Sequence, residues 1–185
     1  MSAAEYRTQL NPVRGYGRAG EEIAALREAR IDFEIVPGIT AALGAAAAAQ
    51  IALTDRRMAS QLLITTFSHG QQGGSLDWST VTSTTTLAIY MPGRDYGEVA
   101  TRLVDAGLAV DTPCAIVSHA TGADQEIRWS SIRELFDVEK LPAPALLIVG
   151  RVARQLTGEV SERIRIESYA VEEPALAALA SWRKN

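Results

Sequence analysis

Reactive sulfur is scarce in this chain. Cys114 is its one cysteine, so the chain forms no disulfide within itself and builds no zinc site on cysteine ligands. The run Cys114-Ala115-Ile116-Val117 reads as buried strand, which makes the thiol an inert core group. Histidine is nearly as rare, with His69 and His119 only. There is no excess of positive charge. A net charge of −4 and a pI of about 5.3 argue against a nucleic-acid-binding surface. No apolar run is long enough to span a bilayer. The opening, Met1 to Pro12, lacks the apolar core of a signal peptide. The expected setting is cytoplasmic, with neither membrane nor nucleic acid as partner.

What is present suits a globular protein: 185 residues, 47% hydrophobic and 22% charged, enough for one large domain or two small lobes. Strand and helix signals alternate. Gly20 to Arg30 carries apolar Ile23, Ala24 and Leu26 at helical spacing, with Glu21 and Glu22 in the first turn. Apolar or β-branched runs at Ile31–Val36, Gln61–Phe67, Thr85–Met91, Pro113–Ser118 and Pro144–Gly150 read as strands, Gln61–Phe67 as a buried one. Glu126–Trp129 alternates and reads as a half-exposed strand. Tyr96 to Ala106 reads as a helix closed by Gly107, and Ser131 to Val138 as a short helix. Beyond Gln155, Val160–Tyr169 suits a strand and Pro174–Trp182 a helix. The expected class is α/β, a sheet covered on both faces.

The most informative stretch runs from Phe33 to Arg56. Pro37-Gly38 ends an apolar strand, and Ile39-Thr40 leads into the alanine run Ala41–Ala49. Alanine favours helix and lets neighbouring backbone come close. Thr40 stands where a hydroxyl can cap that helix. A strand, a tight turn and a small-residue helix expose backbone N–H groups to polar ligands. Local chemistry alone also fits a plain connection.

Neighbouring motifs tip that balance. Gly17-Arg18-Ala19-Gly20-Glu21-Glu22, Val36-Pro37-Gly38-Ile39-Thr40-Ala41 and Ile51-Ala52-Leu53-Thr54-Asp55-Arg56 follow in series. This order resembles the tetrapyrrole methylase family, and most nearly its uroporphyrinogen-III C-methyltransferase branch, with GRGGEE, VPGITSA and IPLTHR. The resemblance continues at Leu87–Met91 (TLVIYM), Thr112–Val117 (TPVAVV), Ala120–Gln125 (NATRPDQ) and Pro144–Val152 (PALIVVGEVV).

The resemblance implies a two-lobed fold that binds S-adenosylmethionine in a crevice and methylates ring carbons of a tetrapyrrole without metal. It implies that Thr40, Ala41, Met91 and Ala120 lie at the cofactor, with Gly15 at a further contact position. Small side chains and a soft methionine wall suit a flat adenine. Met91 also suits ordinary strand-end core, and Ala120 simple tight packing. Arg18 and Arg56 are candidates for the carboxylates of the substrate, as planar guanidinium forks, or equally for solvated or structurally paired surface arginines. Catalytic residues are not assigned. A homodimer is implied as well.

The sequence also departs from the family. Nothing resembles the opening GAGPGDP loop. Leu10-Asn11-Pro12-Val13 stands in place of GGDP, and Asp55 in place of the histidine of LTHR. The expectation is therefore a fold whose first lobe is incomplete, with residues 1–54 its later part, 55–155 a second lobe and 156–185 an extension. Activity is expected to be impaired, and the alternative is a non-catalytic module that binds S-adenosylmethionine or S-adenosylhomocysteine, or that dimerises. A precorrin or diphthamide-pathway methylase is a third reading within the family. Missing strands are expected to leave an uncovered sheet edge and apolar face.

Overall fold

The computed structural model describes residues 19–67, 76–93 and 96–154, all within one compact unit. The readings placed on Gly15, Arg18, His69 and residues 156–185 lie outside the described residues. The elements are α1 (Ala19–Glu28), α2 (Ala41–Ala48), β1 (Gln61–Thr66), β2 (Thr85–Tyr90), α3 (Gly97–Asp105), β3 (Pro113–Ser118), β4 (Glu126–Ser131) and β5 (Ala145–Val149). Most expected elements stand within a residue or two of the sequence reading.

The five strands form one sheet in the order β1-β2-β5-β3-β4. β1 and β2 are parallel, while β5 runs antiparallel to both β2 and β3, and β4 antiparallel to β3. The strands β1, β2 and β3 therefore share one direction, and their C-terminal ends, Thr66, Tyr90 and Ser118, lie along one edge. β5 threads between β2 and β3, with Leu146 opposite Tyr90 and Ala145 opposite Ser118.

Strand alternation divides the side chains into two cores. On one face Leu87, Ile89, Cys114, Ile116, Leu147 and Val149 pack with Val99, Ala100 and Leu103 of α3. On the other, Ala88, Ala115, Val117, Leu146 and Ile148 pack with Ala42, Ala45, Ala46 and Ala49 around α2. Both α2 and the sheet positions it covers are rich in alanine, so helix and sheet approach closely and the backbone itself supplies much of the contact. Burial in the first core pushes the Cys114 thiol well above its ordinary range, which agrees with an inert group.

Three local expectations need correction. Ile31–Val36 is not a strand: Ile35 alone shows a bridge, and Ile31, Ile35 and Val36 are exposed. A strand needs a neighbour to take its hydrogen bonds, and none of the five described strands runs beside it. β1 is half-buried rather than buried, because it forms a sheet edge. The helix expected over Ser131–Val138 shrinks to one 3-10 turn, Glu134–Phe136.

Candidate functional site: the crevice edge of the sheet

Three segments meet at the edge formed by the C-terminal ends of β1, β2 and β3. The first is the N-terminus of α2. Thr40 occupies the N-cap position with extended backbone, yet its side chain makes no capping bond. This corrects the role expected for it. The capping group comes from β2: Tyr90 Oη accepts the Ala42 N–H at 2.8 Å and also hydrogen-bonds Thr40 Oγ1. The carbonyl of Thr40 accepts the N–H groups of Leu43 and Gly44 at 3.0 and 3.1 Å. Ala41 is exposed, and among the described residues its N–H has no protein partner. Among the described residues, one donor at the positive end of the helix is thus left without a partner.

The second segment is the end of β2. Met91 has φ +47° and is 47% exposed. Left-handed backbone is unfavourable for a methionine, so its position is held by the surrounding structure. The third segment follows β3. His119 and Thr121 also have positive φ, +46° and +66°. His119 N–H donates to Pro144 O at 2.9 Å, Gly122 N–H donates to His119 O at 2.8 Å, and Thr121 N–H donates to Gln125 Oε1 at 2.7 Å. Gln125 fixes this turn. A Cβ at Gly122 would stand 3.0 Å from His119 O, close enough that the turn would have to shift. Three non-glycine residues in left-handed conformation along one edge concentrate backbone strain where sites are often found.

A hollow of about 610 Å³ opens at this edge, lined by Tyr90, Met91, Pro92, Gly93, Lys140, Ala143, Pro144 and Ala145. That volume is in the range of small-molecule sites, and its walls are mostly apolar. Among the described residues Lys140 is its one cation, with Nζ donating to Gly93 O at 2.8 Å. A smaller hollow of about 210 Å³, beside Thr85 and Gly150, lies at the opposite end of the sheet and is below that range.

Thr40, Ala41, Met91 and Ala120 are therefore brought to one edge. Ala120 packs against the alanine core around α2, and Gly44 of that helix faces Thr121. Arg56 is not with them. It is exposed in the turn bridged by Asp55 and Ala59, which leads to the start of β1. Ser60 N–H there donates to Thr84 O, just before β2 begins, so this turn sits a strand's length away, ~20 Å at ~3.3 Å per residue. Sequence reasoning missed Tyr90 and Lys140. Tyr90 was within reach, since alternation from Ala88 places it on the α2 face; nothing local marks Lys140.

Ser118 and His119 form no nucleophilic pair. Ser118 Oγ gives its proton to Pro142 O, so His119 Nδ1, 2.9 Å away, donates to that oxygen rather than activating it.

The comparisons with known proteins meet this geometry. The sequence pattern of the Tetrapyrrole (Corrin/Porphyrin) Methylases matches residues 14–135, more than half of the chain. This chain belongs to the tetrapyrrole methylase family. Among its relatives are Siroheme synthase 1 of Pectobacterium atrosepticum, 40% identical, and Siroheme synthase of Zymomonas mobilis, 42% identical, each over 139 residues and 74% of the chain. The chain spans only 29% and 30% of those two relatives. Its fold resembles uroporphyrin-III C-methyl transferase from Thermus thermophilus complexed with S-adenyl homocysteine, with a TM-score of 0.66 and 27% identity over 76% of this chain and 60% of that one. It also resembles a cobalt precorrin-4 methyltransferase, at a TM-score of 0.67 and 25% identity over 78% of this chain and 62% of the other. A tetrapyrrole methylase-type sheet, with the α2 terminus and Met91 at one edge, is thus the frame of the site.

Proposed function

We propose that this chain carries the adenosine-binding side of an S-adenosylmethionine-dependent C-methylation site, acting on uroporphyrinogen III toward precorrin-2 in sirohaem and cobalamin biosynthesis. The observation that carries this reading is the hollow beside Met91, whose lining residue Tyr90 is hydrogen-bonded to a helix terminus where, among the described residues, the Ala41 N–H has no partner. These residues fit the group. Apolar walls and the polarizable Met91 thioether suit an adenine face, and the Ala41 N–H suits an acceptor on the nucleoside. Thr40, Ala41, Met91 and Ala120 are the contact residues of this reading, with Gly15 as a further one and Arg18 and Arg56 for substrate carboxylates. When bound, the cofactor supplies an electrophilic methyl group on sulfonium sulfur. The chain's own part is to hold the nucleoside, keep water from the apolar wall and fix the direction in which the reacting carbon approaches. The division into 1–54, 55–155 and 156–185 belongs to the same proposal, as does a homodimeric, cytoplasmic protein.

The alternative is a non-catalytic module that binds S-adenosylmethionine or S-adenosylhomocysteine, or that dimerises. One observation favours it: among the described residues, the side chains lining the hollow include no carboxylate, only Tyr90 and Lys140 being ionisable. Calorimetry with S-adenosylhomocysteine, paired with an assay of uroporphyrinogen III methylation, separates the readings. Micromolar binding with turnover supports the enzyme. The same binding without turnover supports the module, and no binding removes the cofactor site altogether.

A further inference from the structure

The hydroxyl of Tyr90 does more than fill space at the crevice. Its ring packs against the core around α2, and its Oη accepts the Ala42 N–H at 2.8 Å while hydrogen-bonding Thr40 Oγ1. Ala42 is fully buried, so its N–H depends on a partner supplied from within the protein. Thr40 leaves the capping function unfilled, and a residue 48 positions away fills it. The next residue after Tyr90 is Met91. One side chain thus fastens the start of α2, with Thr40 and Ala41, to the strand end that presents Met91 to the hollow.

We propose that Tyr90 is a positioning residue that sets the gap between the α2 terminus and Met91, and through that gap the affinity for the adenosine portion of the methyl donor. This rests on the cofactor reading given above. Tyr90 acts through α2 rather than by touching the ligand with its hydroxyl, because that oxygen is already engaged by two groups of the helix terminus. A terminus that is held before the ligand arrives loses less freedom on binding, which raises affinity without adding a contact.

The test uses the full chain and two near-isosteric variants, Tyr90→Phe and Thr40→Val, with their double mutant. Tyr90→Phe keeps the ring in place and removes only the hydroxyl. Exchange of the Ala42 amide with solvent is expected to speed up about tenfold. By calorimetry, S-adenosylhomocysteine is expected to bind about tenfold more weakly to Tyr90→Phe, while melting of the ligand-free protein moves by only a few degrees. Combining the two substitutions should speed Ala42 exchange no further than Tyr90→Phe alone, since both cut one network. Unchanged Ala42 exchange would overturn the capping role. Affinity of Tyr90→Phe within twofold of wild type would overturn the link to the ligand. If the wild type itself fails to bind S-adenosylhomocysteine, the cofactor reading falls and takes the ligand link with it, while Ala42 exchange still decides whether Tyr90 holds the helix.

Discussion

Met91 shows at the residue scale how stability and ligand binding oppose each other. A methionine at φ +47° is strained, and its side chain is nearly half exposed at a hollow rather than secured in core. Met91→Gly relieves the strain, so the ligand-free protein should gain up to about 1 kcal/mol in urea unfolding. The same change removes the apolar wall, and S-adenosylhomocysteine should bind about tenfold more weakly by calorimetry. A variant that loses stability and keeps affinity would show that Met91 is packing and not site. Asp55 gives a second residue-scale prediction. Hydrogen bonds from the Arg57 side chain and backbone hold its carboxyl at about 2, against an ordinary 3.8. A depressed carboxyl stabilises the fold at pH values above its unfolded value, and that contribution is lost as pH falls through about 2. Arg57 is well exposed to solvent, which screens the pair, so the effect is small. Carbon-detected NMR titration should place the Asp55 midpoint near 2 in the native protein and near 4 in Arg57→Ala.

At the scale of the element, α2 is the piece on which both core and crevice depend. Ala42, Ala45 and Ala46 lie in one core with Ala88 and Ala115 of the sheet, and Ala45 is fully buried. Ala45→Leu inserts a branched side chain where two backbones approach closely. It should cost about 1–3 kcal/mol in denaturant unfolding. Because the helix must lift away from the sheet, it should also weaken S-adenosylhomocysteine binding, although residue 45 lies more than a turn from the helix N-terminus. Equal affinity in a folded variant would separate the packing of α2 from the site. The stretch before α2 behaves differently. Sequence periodicity marks Ile31–Val36 as strand as firmly as it marks β5, yet only β5 forms. β5 lies between β2 and β3 and hydrogen-bonds along both edges, while Ile31–Val36 has no described strand beside it.

At the scale of the whole molecule, the apolar side chains in and just after that stretch stand exposed. Ile31, Ile35, Val36, Ile39 and Leu43 are all exposed, Ile39 by 70%. Scattered exposed apolar residues are ordinary, but five within thirteen positions mark a surface that favours being covered. With the homodimer proposed above, sedimentation should show a dimer at micromolar concentration, and Ile39→Asp should shift it toward monomer. A wild-type monomer across that range would count against the proposed assembly.

The sequence by itself determined the class, the alternation of strands and helices, and the family, because these follow from local hydrophobic period, turn residues and the order of short motifs. It also marked Thr40, Ala41, Met91 and Ala120, which the fold gathers at one edge. Tertiary structure alone decided the rest. The antiparallel course of β5 between β2 and β3 is a matter of pairing, which no local period encodes. Arg56 falls at the far end of the sheet because β1 runs the length of the fold before reaching the crevice. Tyr90, not Thr40, caps α2, since a cap is won by whichever oxygen the folded chain carries to the open N–H.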